Sequence, residues 1–233
     1  MKKGDAPRRA PQPKILTARS YAEGLRVLAE RDPDLARVHA EFGTPPEWFR
    51  EPGFPTLVHI ILEQQVSLAS ARAAFMRLLA LAASPLTPER FLALDDAQLK
   101  SAGFSRQKIV YGRHLAEAIA GGELNLEAFG EMGDEAVKAA LTRVKGIGSW
   151  TADIYLLMSL RRPDAWPAGD LALAVGVREV KRLSSRPAPL ELERIAEAWR
   201  PWRAVGARLL WNYYLNRRAT VAAAVVVRPR NEL

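Results

Sequence analysis

Asp170 heads an apolar helical segment, 20 residues beyond Trp150, and its carboxylate is well placed to do chemistry. A negative charge at a helix N-terminus lies where the backbone dipole favours it. It can stabilise a developing cation or orient a water. The same position is a preferred helix cap, so a structural use of Asp170 stays open. A second feature is Lys145-Gly146-Ile147-Gly148-Ser149, set between two helical patterns. Glycine at 146 and 148 permits positive φ and lets a foreign backbone come close. The helix that follows, expected from about Trp150, would offer free N–H groups suited to a phosphate. A tight helix–helix turn would use glycine in the same way.

Composition removes other chemistries. The chain has no cysteine, which excludes disulfides, thiol nucleophiles, zinc–thiolate sites and cysteine-held iron–sulfur clusters. Its three histidines, His39, His59 and His114, are widely scattered, which gives little support to a histidine metal site. Of the +8 net charge, residues 1–20 carry +5 and residues 200–233 carry +6, leaving −3 for residues 21–199. The basic excess therefore sits at the two ends, where it is weak evidence for a polyanion partner.

The elements that must position these residues read as helix after helix. Residues 56–82 place Leu57, Ile60, Ile61, Leu68, Ala71, Phe75, Leu78 and Leu79 on one stripe, as a single long helix. Similar patterns cover 21–31, 88–94, 95–101, 105–120, 134–144, 150–160, 171–183, 190–199 and 202–217, with Pro201 as the first residue of the last helix. No comparable set of alternating strands appears, so the fold class is all-α. Residues 1–20 are taken as a basic, proline-rich tail and 220–233 as a C-terminal tail, its apolar run Val221 to Val227 being a stray strand or packed segment. Gln64 falls on the stripe of the long helix, where a buried amide needs a partner such as a loop carbonyl. Gln65 lies at the stripe's edge, so the pair could place two amides beside a cleft. Trp199, Trp202, Trp211, Tyr213 and Tyr214 crowd the last helices, where rings fill cores or stack on a nucleobase.

Taken in order, Gln64-Gln65-Val66-Ser67, SAGFSRQK at 101–108, VKGIGSWTA at 144–152, PAGD at 167–170 and WRPWR at 199–203 resemble the helix-hairpin-helix (HhH-GPD) DNA glycosylases. They are most similar to the 3-methyladenine DNA glycosylase II (AlkA-like) branch, over roughly residues 45–217. The resemblance implies a two-lobed all-α fold, with duplex DNA in the cleft and a damaged nucleotide flipped out of the stack. It makes Asp170 the catalytic aspartate, and Trp150, Trp211 and Gln64 base-pocket residues. Gln65, Lys145, Gly146, Gly148 and Thr151 become DNA contacts, Gln65 as the wedge that fills the gap left by the base. It further implies a structural Na+ or K+ on the backbone carbonyls of Thr142, Val144 and Ile147, and no cofactor for catalysis.

Members with strand-cleaving lyase activity carry lysine two residues after the second hairpin glycine; here that residue is Trp150. The matching expectation is a monofunctional glycosylase that releases alkylated purines, acts as a monomer in base excision repair and has no membrane partner. Ile154 stands where some relatives have a pocket tyrosine. Rival expectations are a glycosylase for oxidised, deaminated or etheno bases, a non-catalytic hairpin module that binds DNA, and a helical scaffold for protein partners. No apolar run reaches the roughly 18 residues of a membrane span. The N-terminus also lacks an apolar signal core, so the expected location is the cytoplasm or nucleoid of a bacterium, or a nucleus.

Overall fold

The computed structural model describes residues 15–82 and 85–226. Residues 1–14, most of the expected N-terminal tail, lie outside them. The expected tail nonetheless ends too late at residue 20. Leu16 is fully buried, its amide donates to the Arg161 carbonyl, and Thr17 and Ser20 form a reciprocal capping box that starts α1 (Ala18–Arg31).

Beyond α1 the chain forms α2 (Pro33–Phe42), α3 (Phe54–Glu63), α4 (Leu68–Ala82), α5 (Pro88–Leu92), α6 (Asp96–Ser101) and α7 (Arg106–Ala120). After these come α8 (Asp134–Thr142), α9 (Ser149–Met158), α10 (Leu171–Val180), α11 (Pro189–Ala196) and α12 (Arg203–Val226), with short 3-10 turns at Glu127–Gly130 and Glu197–Trp199. No strand occurs among the described residues. None of their helices is long and apolar enough to cross a membrane.

The packing makes two groups of helices. The chain ends close one group: α1 packs on α2, and α1, α2 and α10 all pack on α12. The middle of the chain forms the other, with α3 against α4, α7 and α9, α5 against α7, and α8 against α9. One continuous apolar core runs through both, from Leu28 and Val38 to Leu57, Leu115, Leu141 and Leu210.

Four expectations are corrected. The long helix over 56–82 is two helices, because the chain turns at 64–67; Gln64 has ψ 121° and Gln65 the left-handed φ of 57°. α2 was not expected, although Asp32 caps it and Pro33 opens it. The last helix runs unbroken from Arg203 to Val226, through the supposed tail and stray strand, since extending an existing helix needs no new nucleus and the alanines at 222–224 favour it. Val227 lies outside the described residues. Pro201 does not begin that helix; it sits in the preceding turn after a cis Arg200–Pro201 peptide.

Candidate active site

Asp170 caps α10, its Oδ1 accepting the Leu173 amide at 2.9 Å. That would suffice for a structural cap, but two indoles also point at the carboxylate. Trp150 Nε1 donates to Oδ2 at 3.0 Å and Trp211 Nε1 to Oδ1 at 3.1 Å. Trp150 belongs to α9 and Trp211 to α12, so Asp170 lies where the two helix groups meet. The carboxylate and Trp150 are half-buried, and Trp211 is buried.

A third tryptophan, not singled out from the sequence, belongs to this cluster. Trp48 stands edge-on to Trp211, with ring centroids 6.3 Å apart and planes at 75°. It lies outside any helix with φ at 47°, strained for a large side chain. The buried Arg208 guanidinium steadies this stretch, donating to the carbonyls of Glu47 at 2.9 Å and of Leu157 and Ala204 at 3.0 Å each. The proline pair at 45–46 was the one local sign that Trp48 sits in a shaped loop rather than a helix.

The hairpin between α8 and α9 uses its two glycines differently. Gly146 has φ 96°, and a Cβ there would come 2.1 Å from Cγ of Tyr111, so both conformation and space require glycine. Gly148 has an ordinary φ of −89°, and a Cβ there would meet nothing within 4 Å. Positive φ therefore explains Gly146 alone; the space over Gly148 is what remains for an approaching group. Among the described residues no side chain caps α9, and its first internal bond is Ala152 N–H to the Gly148 carbonyl at 3.1 Å. The Ser149 and Trp150 amides precede that bond at the positive end of the helix, an arrangement that favours an anion.

The remaining predicted residues divide between surface and support. Lys145 and Gln65 are exposed. Thr151 is 1% exposed and accepts a hydrogen bond from Gln64 Nε2 at 3.1 Å, which takes its side chain away from any DNA surface. Gln64 Nε2 also donates to the Gly146 carbonyl at 2.9 Å. Through Nε2 this amide braces the hairpin, and one partner is the loop carbonyl expected of a core glutamine. Lys108, from the SRQK stretch, donates to the Leu62 carbonyl at 2.6 Å near the end of α3, just before the same turn. Ile154 is part of the core.

The proposed cation carbonyls lie within the hairpin, where the Val144 carbonyl accepts the Ile147 amide at 3.0 Å and keeps a second lone pair. Among the described residues no His, Asp and Glu cluster could hold a metal ion. Lys138 of α8 pairs with Asp153 of α9 at 2.8 Å and ties the two hairpin helices together. Burial pushes the Asp153 carboxyl up to about 6, against the opposing hydrogen bond from Lys138.

Both the sequence and the fold match those of known proteins. A sequence profile described as HhH-GPD superfamily base excision DNA repair protein matches residues 58–201. The chain is 32% identical over 165 residues to DNA-3-methyladenine glycosylase 1 of Schizosaccharomyces pombe, across 70% of this chain and 72% of that one. It is 30% identical over 124 residues to a putative DNA-3-methyladenine glycosylase of Bacillus subtilis, but spans only 43% of that protein. Its fold matches the S. pombe 3-methyladenine DNA glycosylase in complex with abasic DNA with a TM-score of 0.77, at 29% identity, over 81% of this chain and 95% of that one.

Proposed function

The chain belongs to the HhH-GPD superfamily of base excision DNA repair proteins, and from that premise we infer that it is a DNA glycosylase that releases alkylated purines from duplex DNA. The observation that carries the reading is the Asp170 carboxylate, held between Trp150 and Trp211 where the hairpin group meets the α10–α12 group.

Alkylation at N3 or N7 makes a purine cationic. Such a base stacks well on electron-rich indole faces, here Trp150, Trp211 and Trp48. In the reaction the bond from the sugar C1′ to the purine nitrogen breaks and its electron pair goes to the base, which leaves neutral. Positive charge passes to the sugar, where the Asp170 carboxylate stabilises it. Water adds its oxygen to C1′ and gives a proton to the carboxylate or to solvent, leaving an abasic sugar. A cationic leaving group needs little protonation, which fits one carboxylate rather than an acid–base pair.

Trp150 stands where a lyase would carry its lysine, so the enzyme is monofunctional. It acts as a monomer on DNA, with Gln65 entering the gap left by the flipped base, an opening that costs a few kcal/mol and less at a damaged pair. The Ser149 and Trp150 amides and Lys145 hold phosphate, with Na+ or K+ on the carbonyls of Thr142, Val144 and Ile147 helping to fix the hairpin. The deciding experiment is free-base release from methylated duplex DNA by wild type and Asp170→Asn. Release of 3-methyladenine or 7-methylguanine by wild type alone is expected, with DNA binding retained in the variant. A fully active Asn variant would overturn the role of Asp170. Release of neutral lesions only would reassign the substrate.

A further inference from the structure

We propose that the Asp170 oxygen beside Trp150, Oδ2, is the one that faces the sugar, and that Trp150 and Trp211 are positioning residues whose N–H groups hold the carboxylate for that task. The proposal rests on the glycosylase reading and deepens it by assigning the reacting atom.

The asymmetry of the carboxylate carries the argument. Each carboxylate oxygen offers about two in-plane lone-pair sites. Oδ1 accepts from the Leu173 amide at 2.9 Å and from Trp211 Nε1 at 3.1 Å, so both of its sites are filled. Among the described residues Oδ2 accepts only from Trp150 Nε1, at 3.0 Å, and keeps one site open. Asp170 is half-exposed, so that site is not sealed inside the core. The three donors come from three elements: α10 supplies Leu173, α12 supplies Trp211 and α9 supplies Trp150. No single helix can shift without loosening the group.

The indoles serve two tasks that do not compete. An indole N–H lies in the ring plane, so the bond to Asp170 uses the ring's edge and leaves its face to the base. The carboxylate in turn fixes each ring's rotation. Tryptophan at 150 and 211 is therefore required for its N–H as well as for its area, and phenylalanine would supply area alone.

Two analogues separate these properties in the full-length protein. Benzothienylalanine, with sulfur in place of the indole N–H, keeps the face and removes the donor. Fluorotryptophan keeps the donor and weakens the face. The readouts are the single-turnover rate of base release from methylated duplex, the Kd for undamaged duplex, and Tm. Loss of a hydrogen bond to a charged group predicts a rate lower by about tenfold to a hundredfold for benzothienylalanine at 150, with Kd unchanged. At 211 the loss is smaller, about threefold to tenfold, because the Leu173 amide still holds Oδ1. Fluorotryptophan at 150 keeps the N–H and weakens the stacking face, so it slows release by about threefold, less than the sulfur analogue at the same position.

Wild-type rates with both sulfur analogues, while Asp170→Asn is inactive, would overturn the positioning role and leave the glycosylase reading intact. A larger loss at 211 than at 150 would overturn the choice of Oδ2. Absence of base release by the wild type itself would overturn the reading and this proposal together.

Discussion

The side-chain amide of Gln64 donates to the backbone carbonyl of Gly146 at 2.9 Å, joining the turn between α3 and α4 to the hairpin between α8 and α9. The same nitrogen donates to Thr151 at 3.1 Å, so the turn is fastened both to the hairpin loop and to α9. Gln65, next in the chain, is exposed with φ at 57°. The residue proposed to enter the DNA gap is thus carried on a turn locked to the residues proposed to hold phosphate.

Replacing Gln64 with leucine removes both bonds and leaves the Gly146 carbonyl without that donor. We expect a loss of about 1–2 kcal/mol and a slower single-turnover release of base. Gln65→Ala, on an exposed side chain, should leave Tm within about 1 °C while also slowing release. Thermal melting beside single-turnover kinetics checks the pair. Equal melting losses in both variants would contradict the bracing role of Gln64.

The two hairpin glycines should respond in opposite ways. Gly146→Ala forces a Cβ into the Tyr111 ring at a positive φ, and we expect a loss of about 3 kcal/mol. In a domain of this size that lowers Tm by roughly 6–12 °C. Gly148→Ala meets no neighbour and should melt with the wild type, yet weaken DNA binding because the added methyl occupies the space over the hairpin. Melting curves and Kd for undamaged duplex distinguish the two.

Asp153 gives a pH dependence with a definite sign. Its carboxyl is raised from 3.8 to about 6 in the folded protein, chiefly by burial. Between those values the folded chain binds a proton that the unfolded chain has released. Stability from this group is therefore fully present below about pH 4 and is lost as pH rises through about 6, by roughly 3 kcal/mol. Asp153→Asn does not titrate there, so its urea midpoint should gain on the wild type between pH 4 and pH 7. A constant gap across that range would refute the assignment.

Arg208→Met tests the support beneath the tryptophan cluster. The guanidinium is fully buried, and burial lowers it to about 10, so it remains charged at neutral pH while serving three backbone carbonyls. Methionine fills much of the volume but satisfies none of them, and we expect a loss on the order of 3 kcal/mol or more. The measurement is denaturant unfolding, with tryptophan emission reporting the displacement of Trp48.

Several local signals are legible in the sequence. Apolar stripes of helical period placed ten segments, and prolines and glycines marked most of their ends. Asp170 as a helix cap, and a glycine-rich turn ahead of a helix near Trp150, followed from residue type and spacing. The missed break at 64–67 has a physical reason: the apolar stripe continues in phase across Gln64 to Leu68, and no proline or glycine interrupts it. α2 did carry its signals, Asp32 and Pro33, but its apolar face of Leu35 and Val38 is short.

The kinds of chemistry open to this protein, its all-helical class and its likeness to one repair family depend on residue type and on spacing along the chain, so the amino-acid order is enough to establish them. Which side chains meet is settled only by the packing of helices on one another. Trp48 and Trp211 are far apart in sequence, as are Gln64 and Gly146, and no periodicity links them. Packing also turned Thr151 inward and left one Asp170 oxygen with a single donor among the described residues. Hydrogen bonds are short-ranged and directional, so such roles exist only once packing has brought separate helices to within about 3 Å of one another.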